Sequence, residues 1–151
     1  MRPSVSLALF LVLVGGAALF GAQFTPGPWY EALRKPPLTP PGWLFGPVWS
    51  ALYLGIAVAG WLVWRAPGDR SVPLALWGAQ LALNAAWSLL FFGLHRPGLA
   101  LLEIGLLLVL VVATAFAFFQ VRPLAGALFV PYAAWVSLAA YLNAGLWHLN
   151  W

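Results

Sequence analysis

The sequence predicts an all-α membrane protein, a bundle of five transmembrane helices with a proline-rich loop between the first and the second. Three observations carry this expectation. Of the 151 residues 64% are hydrophobic and 7% charged, with a mean hydropathy of +0.92; a water-soluble domain carries about 25% charged residues, so these charges are too few to cover a soluble surface. The apolar residues fall in continuous runs of about 20, the length of a helical span, and not in the alternating segments of about ten that a transmembrane strand needs. The breaks between runs collect the prolines and the charges, which is ordinary turn chemistry.

The first helix is expected over residues 4–24, with no charge after Arg2. A single Arg, an apolar run and small residues near Gly21 and Ala22 imitate a signal peptide, but the run exceeds the 7–15 residues of a signal h-region, so a retained span is the better reading. Gly15, Gly16, Ala17 and Ala18 give it a patch where another helix can approach closely.

Residues 25–42 form the expected loop. Pro36, Pro37, Pro40 and Pro41 fix their own φ angles and push the residues before them away from helix, so this segment reads as stiff and extended. Bounded by Trp29 and Trp43, it has the character of a lid. The second helix, 43–65, holds Pro47 in its first turns, where a missing N–H costs least. After the Pro67, Gly68, Asp69 turn comes the third helix, 72–94, with Ser71 as the expected N-cap and Pro73 in the first turn. The short turn from His95 to Gly98 makes the fourth helix, 97–120, its antiparallel neighbour. Arg122 and Pro123 separate it from the fifth, 124–150, in which Pro131 frees a carbonyl and is expected to kink the helix. The whole chain, 1–151, is then one five-helix domain. Arg2, Arg65, Arg70 and Arg122 fall on one face and Arg34, Lys35 and Arg96 on the other, so the charge bias favours a cytoplasmic N-terminus only slightly.

Polar groups at membrane depth are costly, and each is a candidate for function. Glu103 is the only carboxylate within a span, about 9 Å below the loop face. It reads either as a ligand-facing or proton-active acid, or as a helix–helix hydrogen bond or an acid near the boundary reaching for the interface. Asn84, Trp87 and Ser88 share one face of the third helix, and Tyr132, Trp135 and Ala139 one stripe of the fifth, with Asn143 a turn further. Trp49 enters from the loop side. Four helices therefore bring polar or aromatic groups to a similar depth beneath one loop, the geometry of a capped pocket.

The chain has ten tryptophans. Trp29, Trp43, Trp64, Trp147 and Trp151 fall near span ends and read as an interfacial belt. Trp49, Trp87 and Trp135 lie deeper, and an apolar slot walled by indoles suits a large flat molecule. His95 and His148 stand at membrane edges and no Cys is present, so no metal site or axial haem ligand is expected. A phosphate-binding loop, a nucleophile triad and a carboxylate pair are likewise missing. The seven basic residues are dispersed between spans, which argues for interface anchoring and against nucleic acid.

Four stretches resemble the translocator protein family, also known as tryptophan-rich sensory proteins or peripheral benzodiazepine receptors (TspO/MBR): WYEALRKPPLTPPGW at 29–43, VWSALY at 48–53, AQLALNAAWSLLFFG at 79–93 and FVPYAAW at 129–135. The resemblance covers nearly the whole chain. It implies a five-helix protein, often dimeric, that binds porphyrins and benzodiazepine-type ligands as a receptor or transporter in a bacterial membrane, with the porphyrin as ligand or substrate and no covalently bound cofactor. It places the ligand site on Tyr30, Trp49, Asn84, Trp87, Ser88, Trp135 and Ala139, to which the depth count adds Glu103. It also implies a second reading, an enzyme-like, light-dependent breakdown of porphyrin in which Trp49 and Trp135 are catalytic. Arg34 and Lys35 are expected near ligand carboxylates. The cholesterol motif of animal members is incomplete here: Ala144 stands where its tyrosine belongs and His148 where its basic residue belongs, so sterol is not an expected partner. Membrane lipid is an expected partner. So is a second copy, through the small residues Ala75, Gly78, Ala79, Ala82 and Ala86 of the third helix. The plainest alternative is a structural or partner-binding membrane protein without ligand turnover.

Overall fold

The computed structural model describes residues 1–151. Helices α1 (Pro3–Ala22), α3 (Gly42–Arg65), α4 (Ser71–Ser88), α5 (Pro97–Val121) and α6 (Pro123–Asn150) form the bundle, and a one-turn helix α2 (Pro28–Glu31) lies in the loop. A π-helical turn, Leu89–Gly93, lengthens α4. Together α1, α3, α4 with its π-turn, α5 and α6 give five segments long and apolar enough to cross a membrane. Their outward residues are as apolar as the buried ones. On α5, Leu102, Val109 and Phe116 recur at seven-residue spacing and are exposed, while Ile104, Val111 and Phe118 are buried. A helix that is hydrophobic all round belongs in lipid.

The helix ends follow the prolines. Pro3, Pro28, Pro97 and Pro123 each stand at the first turn of a helix, where the absent N–H is not missed. Pro47 and Pro131 lie inside α3 and α6, and both helices run through them. The start of α4 differs from expectation. Ser71 is its first helical residue and not its cap; Asp69 Oδ1 accepts from the Ser71 backbone N–H at 3.0 Å and from its Oγ at 2.6 Å. These bonds to Ser71 hold the Asp69 carboxyl below its usual range. Four residues of the expected loop carry helical structure that the proline count did not suggest: Pro28, Trp29, Tyr30 and Glu31, in α2.

The core lies toward the face opposite the loop. Phe10 of α1 packs edge-on against Trp77 of α4, and both meet α3 at Gly60, where an added Cβ would lie 2.7 Å from the Trp77 ring and 2.9 Å from Phe10. Trp77 Nε1 donates to the Ile56 carbonyl at 2.9 Å, and Trp61 Nε1 donates to Ser6 Oγ at 3.0 Å. Gly60→Ala therefore overpacks this junction and is expected to cost ~1–3 kcal/mol in a reversible denaturation measurement. At its other end α1 meets α4, with Gly21 facing Ser88 Oγ at 3.5 Å for an added Cβ, and Ala18, Gly21 and Ala22 share a cavity wall with Phe45, Trp49 and Tyr53 of α3.

Candidate functional site

A cavity of about 580 Å³ opens beneath the loop, walled by α1, α3, α4, α5 and α6. From α3 come Phe45, Trp49 and Tyr53; from α4 Asn84, Trp87 and Ser88; from α5 Ile104 and Leu107; from α6 Trp135, Val136 and Ala139. Ala18, Gly21 and Ala22 of α1 form the thin wall, and Tyr30, Lys35 and Thr39 of the loop line the roof. A volume in this range holds a drug-sized or larger planar ligand.

The spacing explains the convergence. Trp49 and Tyr53 stand four residues apart on one face of α3, as do Asn84 and Ser88 on α4 and Trp135 and Ala139 on α6. Trp49 and Trp135 meet edge to face, with centroids 6.4 Å apart at 88°, and Trp49 stacks on Tyr53 at 5.3 Å. Trp135 Nε1 is buried without a partner. Trp87 is fixed differently: its Nε1 donates to Asn143 Oδ1 at 2.9 Å, and Asn143 Nδ2 donates to the Pro97 carbonyl at 2.8 Å. Asn143, a turn beyond the α6 stripe, is thus a buried brace and not a lining residue.

Seven of the eight expected ligand residues line this one cavity: Tyr30, Trp49, Asn84, Trp87, Ser88, Trp135 and Ala139. Glu103 does not. Depth counting puts it at the right level but is blind to azimuth, and successive helical residues turn by about 100°. Its neighbour Ile104 takes the cavity face, while both Glu103 carboxyl oxygens are buried without a hydrogen-bond partner. Tyr132 also sits behind the wall, fully buried. Tyr53 and Phe92 also line the cavity and were not expected there, although Tyr53 lies one turn from Trp49 and is legible from that spacing.

The loop is tied down on the α6 side. Asn150 makes a reciprocal pair with the Arg34 backbone, accepting from its N–H at 2.8 Å and donating to its carbonyl at 2.9 Å. Tyr141 Oη donates to the Pro37 carbonyl at 2.8 Å. Pro36 is buried against Gly145. Trp29, expected in the interfacial belt, stacks on His95 at 4.1 Å and 6° and packs against Phe91 and Trp151. The Lys35 ammonium donates to the Tyr30, Glu31 and Leu33 carbonyls and lies 4.6 Å from the Tyr30 ring centroid. All three of its protons are spent on carbonyls of the loop, so Lys35 braces the loop rather than standing free for a carboxylate. Burial at the cavity roof pushes the Tyr30 phenol above its ordinary value. Asn150→Ala removes the two hydrogen bonds to Arg34, worth ~1 kcal/mol together in this exposed setting, along with the helix-internal bond from its Nδ2 to the Leu146 carbonyl. Trypsin is expected to cut the Arg34–Lys35 bond about fivefold faster in that variant when opening precedes cleavage.

A five-span integral membrane protein with a tryptophan-walled cavity roofed by a loop is the class these features define. Residues 8–148 match the TspO/MBR family. The chain is 40% identical to the translocator protein of Bos taurus, an alignment covering 98% of this chain and 92% of the relative. It is also 40% identical to the tryptophan-rich sensory protein of Cereibacter sphaeroides, over 94% of this chain and 89% of the relative, and to protein CrtK of Rhodobacter capsulatus, over 95% and 91%. The chain belongs to the TspO/MBR family.

Proposed function

We propose that the chain is a membrane receptor or transporter that takes a porphyrin-type or benzodiazepine-type ligand into the cavity under the loop. One observation carries the reading: Trp49, Trp87 and Trp135 come from three helices to wall a single cavity of about 580 Å³ roofed by Tyr30. Three indoles and few polar groups favour a large, flat, mostly apolar guest, with Asn84 and Ser88 to orient it. Lys35 is engaged in the lid, so ligand carboxylates extend past the loop toward water and Arg34. Tyr30, Trp49, Asn84, Trp87, Ser88, Trp135 and Ala139 form the binding set; Glu103 acts from behind the wall. The membrane is read as bacterial, and the relatives from bacteria and mammals suit either setting.

Titration of protoporphyrin into the protein in nanodiscs, followed by the porphyrin absorbance, tests this. Saturation at one ligand per chain is the expected result; a signal that grows linearly with added porphyrin, as partition into lipid does, would overturn it.

The edge-to-face pair of Trp49 and Trp135 favours a second reading, light-dependent porphyrin breakdown with these two indoles as electron donors. Continuous illumination with a defined product and many turnovers per chain supports it, whereas consumption of one equivalent marks a sacrificial reaction. Ala75, Gly78, Ala79 and Ala82 are exposed on α4, and an added Cβ at Gly78 meets nothing, which supports a homodimer through this face. Crosslinking in bilayers that yields only monomer counts against it.

A further inference from the structure

A chain of hydrogen bonds runs from the cavity into the bundle, and every donor in it points the same way. Tyr53 Oη donates to Asn84 Oδ1 at 3.2 Å; Asn84 Nδ2 donates to Tyr132 Oη at 2.6 Å; Tyr132 Oη donates to Gln80 Oε1 at 2.7 Å; Gln80 Nε2 donates to the Trp77 carbonyl at 2.9 Å. Tyr53 and Asn84 line the cavity, whereas Gln80 and Tyr132 are fully buried behind it.

The direction follows from one end. A backbone carbonyl accepts and never donates, so the Gln80 NH2 must face Trp77 and its carbonyl oxygen must face Tyr132. The Tyr132 hydroxyl then has to donate to Gln80, which leaves its oxygen to accept. Only the NH2 of Asn84 can serve it, so the Asn84 oxygen is turned to Tyr53. The Tyr53 proton is thereby committed to Asn84, and toward the cavity Tyr53 has only lone pairs to offer.

We propose that Gln80 and Tyr132 are positioning residues that set the hydrogen-bond polarity of the cavity wall, making Tyr53 an acceptor that selects ligands carrying an N–H or O–H donor. They touch no ligand and act through Asn84. With the Gln80 acceptor gone, the Tyr132 hydroxyl turns to Asn84, the Asn84 amide reverses, and Tyr53 regains a proton to donate into the cavity. The inference rests on the ligand-binding reading of this cavity and adds to it the residues that decide which polar edge of a ligand is accepted.

A matched pair of 1,4-benzodiazepin-2-ones, one with a free lactam N–H and one N-methylated, reads this polarity, because both fill the same apolar space. In Gln80→Met, which keeps length and loses the acceptor, the affinity ratio of the N–H ligand to the N-methyl ligand is expected to fall about five- to tenfold relative to the unaltered protein. Tyr132→Phe moves the ratio in the same direction. Gln80→Met introduced into Tyr53→Phe leaves it unchanged, a coupling that a general loosening of the bundle does not produce. An unchanged ratio in Gln80→Met, or an equal fall in the Tyr53→Phe background, would overturn the inference while leaving the binding reading intact. A ligand-free measurement separates the two further. The Asn84 side-chain amide resonance, assigned by its loss in Asn84→Ala, is expected to shift in Gln80→Met; if it stays in place, the relay does not act on Asn84, whether or not any ligand binds.

Discussion

The double variant Trp49→Ala/Trp135→Ala is expected to lose at least about a hundredfold in porphyrin affinity. Each indole contributes its buried apolar face, worth ~1.5–3 kcal/mol for a fully buried large side chain, and a decade of affinity needs about 1.4 kcal/mol. The two rings touch, so their effects are not additive: once one is gone, the other loses the partner that holds it edge-on. Each single variant is therefore expected to show most of the loss. Both side chains are only partly buried but pack against the core, Trp49 against Tyr132 among others. Helical circular dichroism together with the elution volume in detergent therefore checks that the variants are folded and that the loss is one of binding. Retained affinity in the double variant would remove the three-tryptophan wall as the basis of recognition.

Gly145→Ala is expected to uncouple lid closure from fold stability. An added Cβ would lie 2.7 Å from Pro36 Cβ and 2.8 Å from its Cγ. A proline ring has no rotamer with which to step aside, so the loop backbone must lift. As it lifts, it strains the Asn150–Arg34 pair and the Tyr141–Pro37 bond, which hold the same stretch of loop to α6. In the helix itself alanine is better than glycine by ~0.8–1 kcal/mol. The two effects have opposite signs and different readouts. Resistance to denaturation should hold or rise, while ligand dissociation quickens about tenfold, the equivalent of ~1.4 kcal/mol of lost closure. A fall in stability with unchanged dissociation would show that Gly145 serves packing and that the loop is no lid. The contrast with Asn150→Ala is informative, because that variant loosens the same strap without displacing Pro36.

The fold was legible because lipid simplifies the problem. With no water to satisfy backbone groups, an apolar run of span length must be helical, and Pro and Gly mark its ends. Helix boundaries were therefore readable to within about three residues, as the first helix shows by ending at Ala22 where residue 24 was expected. The short helix α2 was hidden by the prolines around it: Pro28 starts a helix as readily as it prevents one, and the sequence does not say which. Cavity-lining residues were legible where depth and helical face agree, as at Trp49, Asn84, Trp87, Ser88, Trp135 and Ala139. Glu103 shows the limit of depth alone, since a turn of one residue places it behind the wall. Composition puts Trp29 beside a span end but says nothing of its stacking on His95, a contact set by the fold of the loop. The Gln80 relay could not be read from sequence, because its members are 52 and 48 residues apart across α4 and α6 and their pairing depends on side-chain direction.

Fluorine NMR of protein labelled with 5-fluorotryptophan tests the central claim most directly, because each of the ten tryptophans then reports for itself. On addition of one equivalent of protoporphyrin in nanodiscs, the resonances of Trp49, Trp87 and Trp135 are expected to shift strongly, while those of Trp64 and Trp77, on the far side of the bundle, stay in place. Shifts confined to the exposed Trp43, Trp64, Trp147 and Trp151, or spread evenly over all ten, would show the porphyrin in the surrounding lipid and contradict a lidded aromatic site.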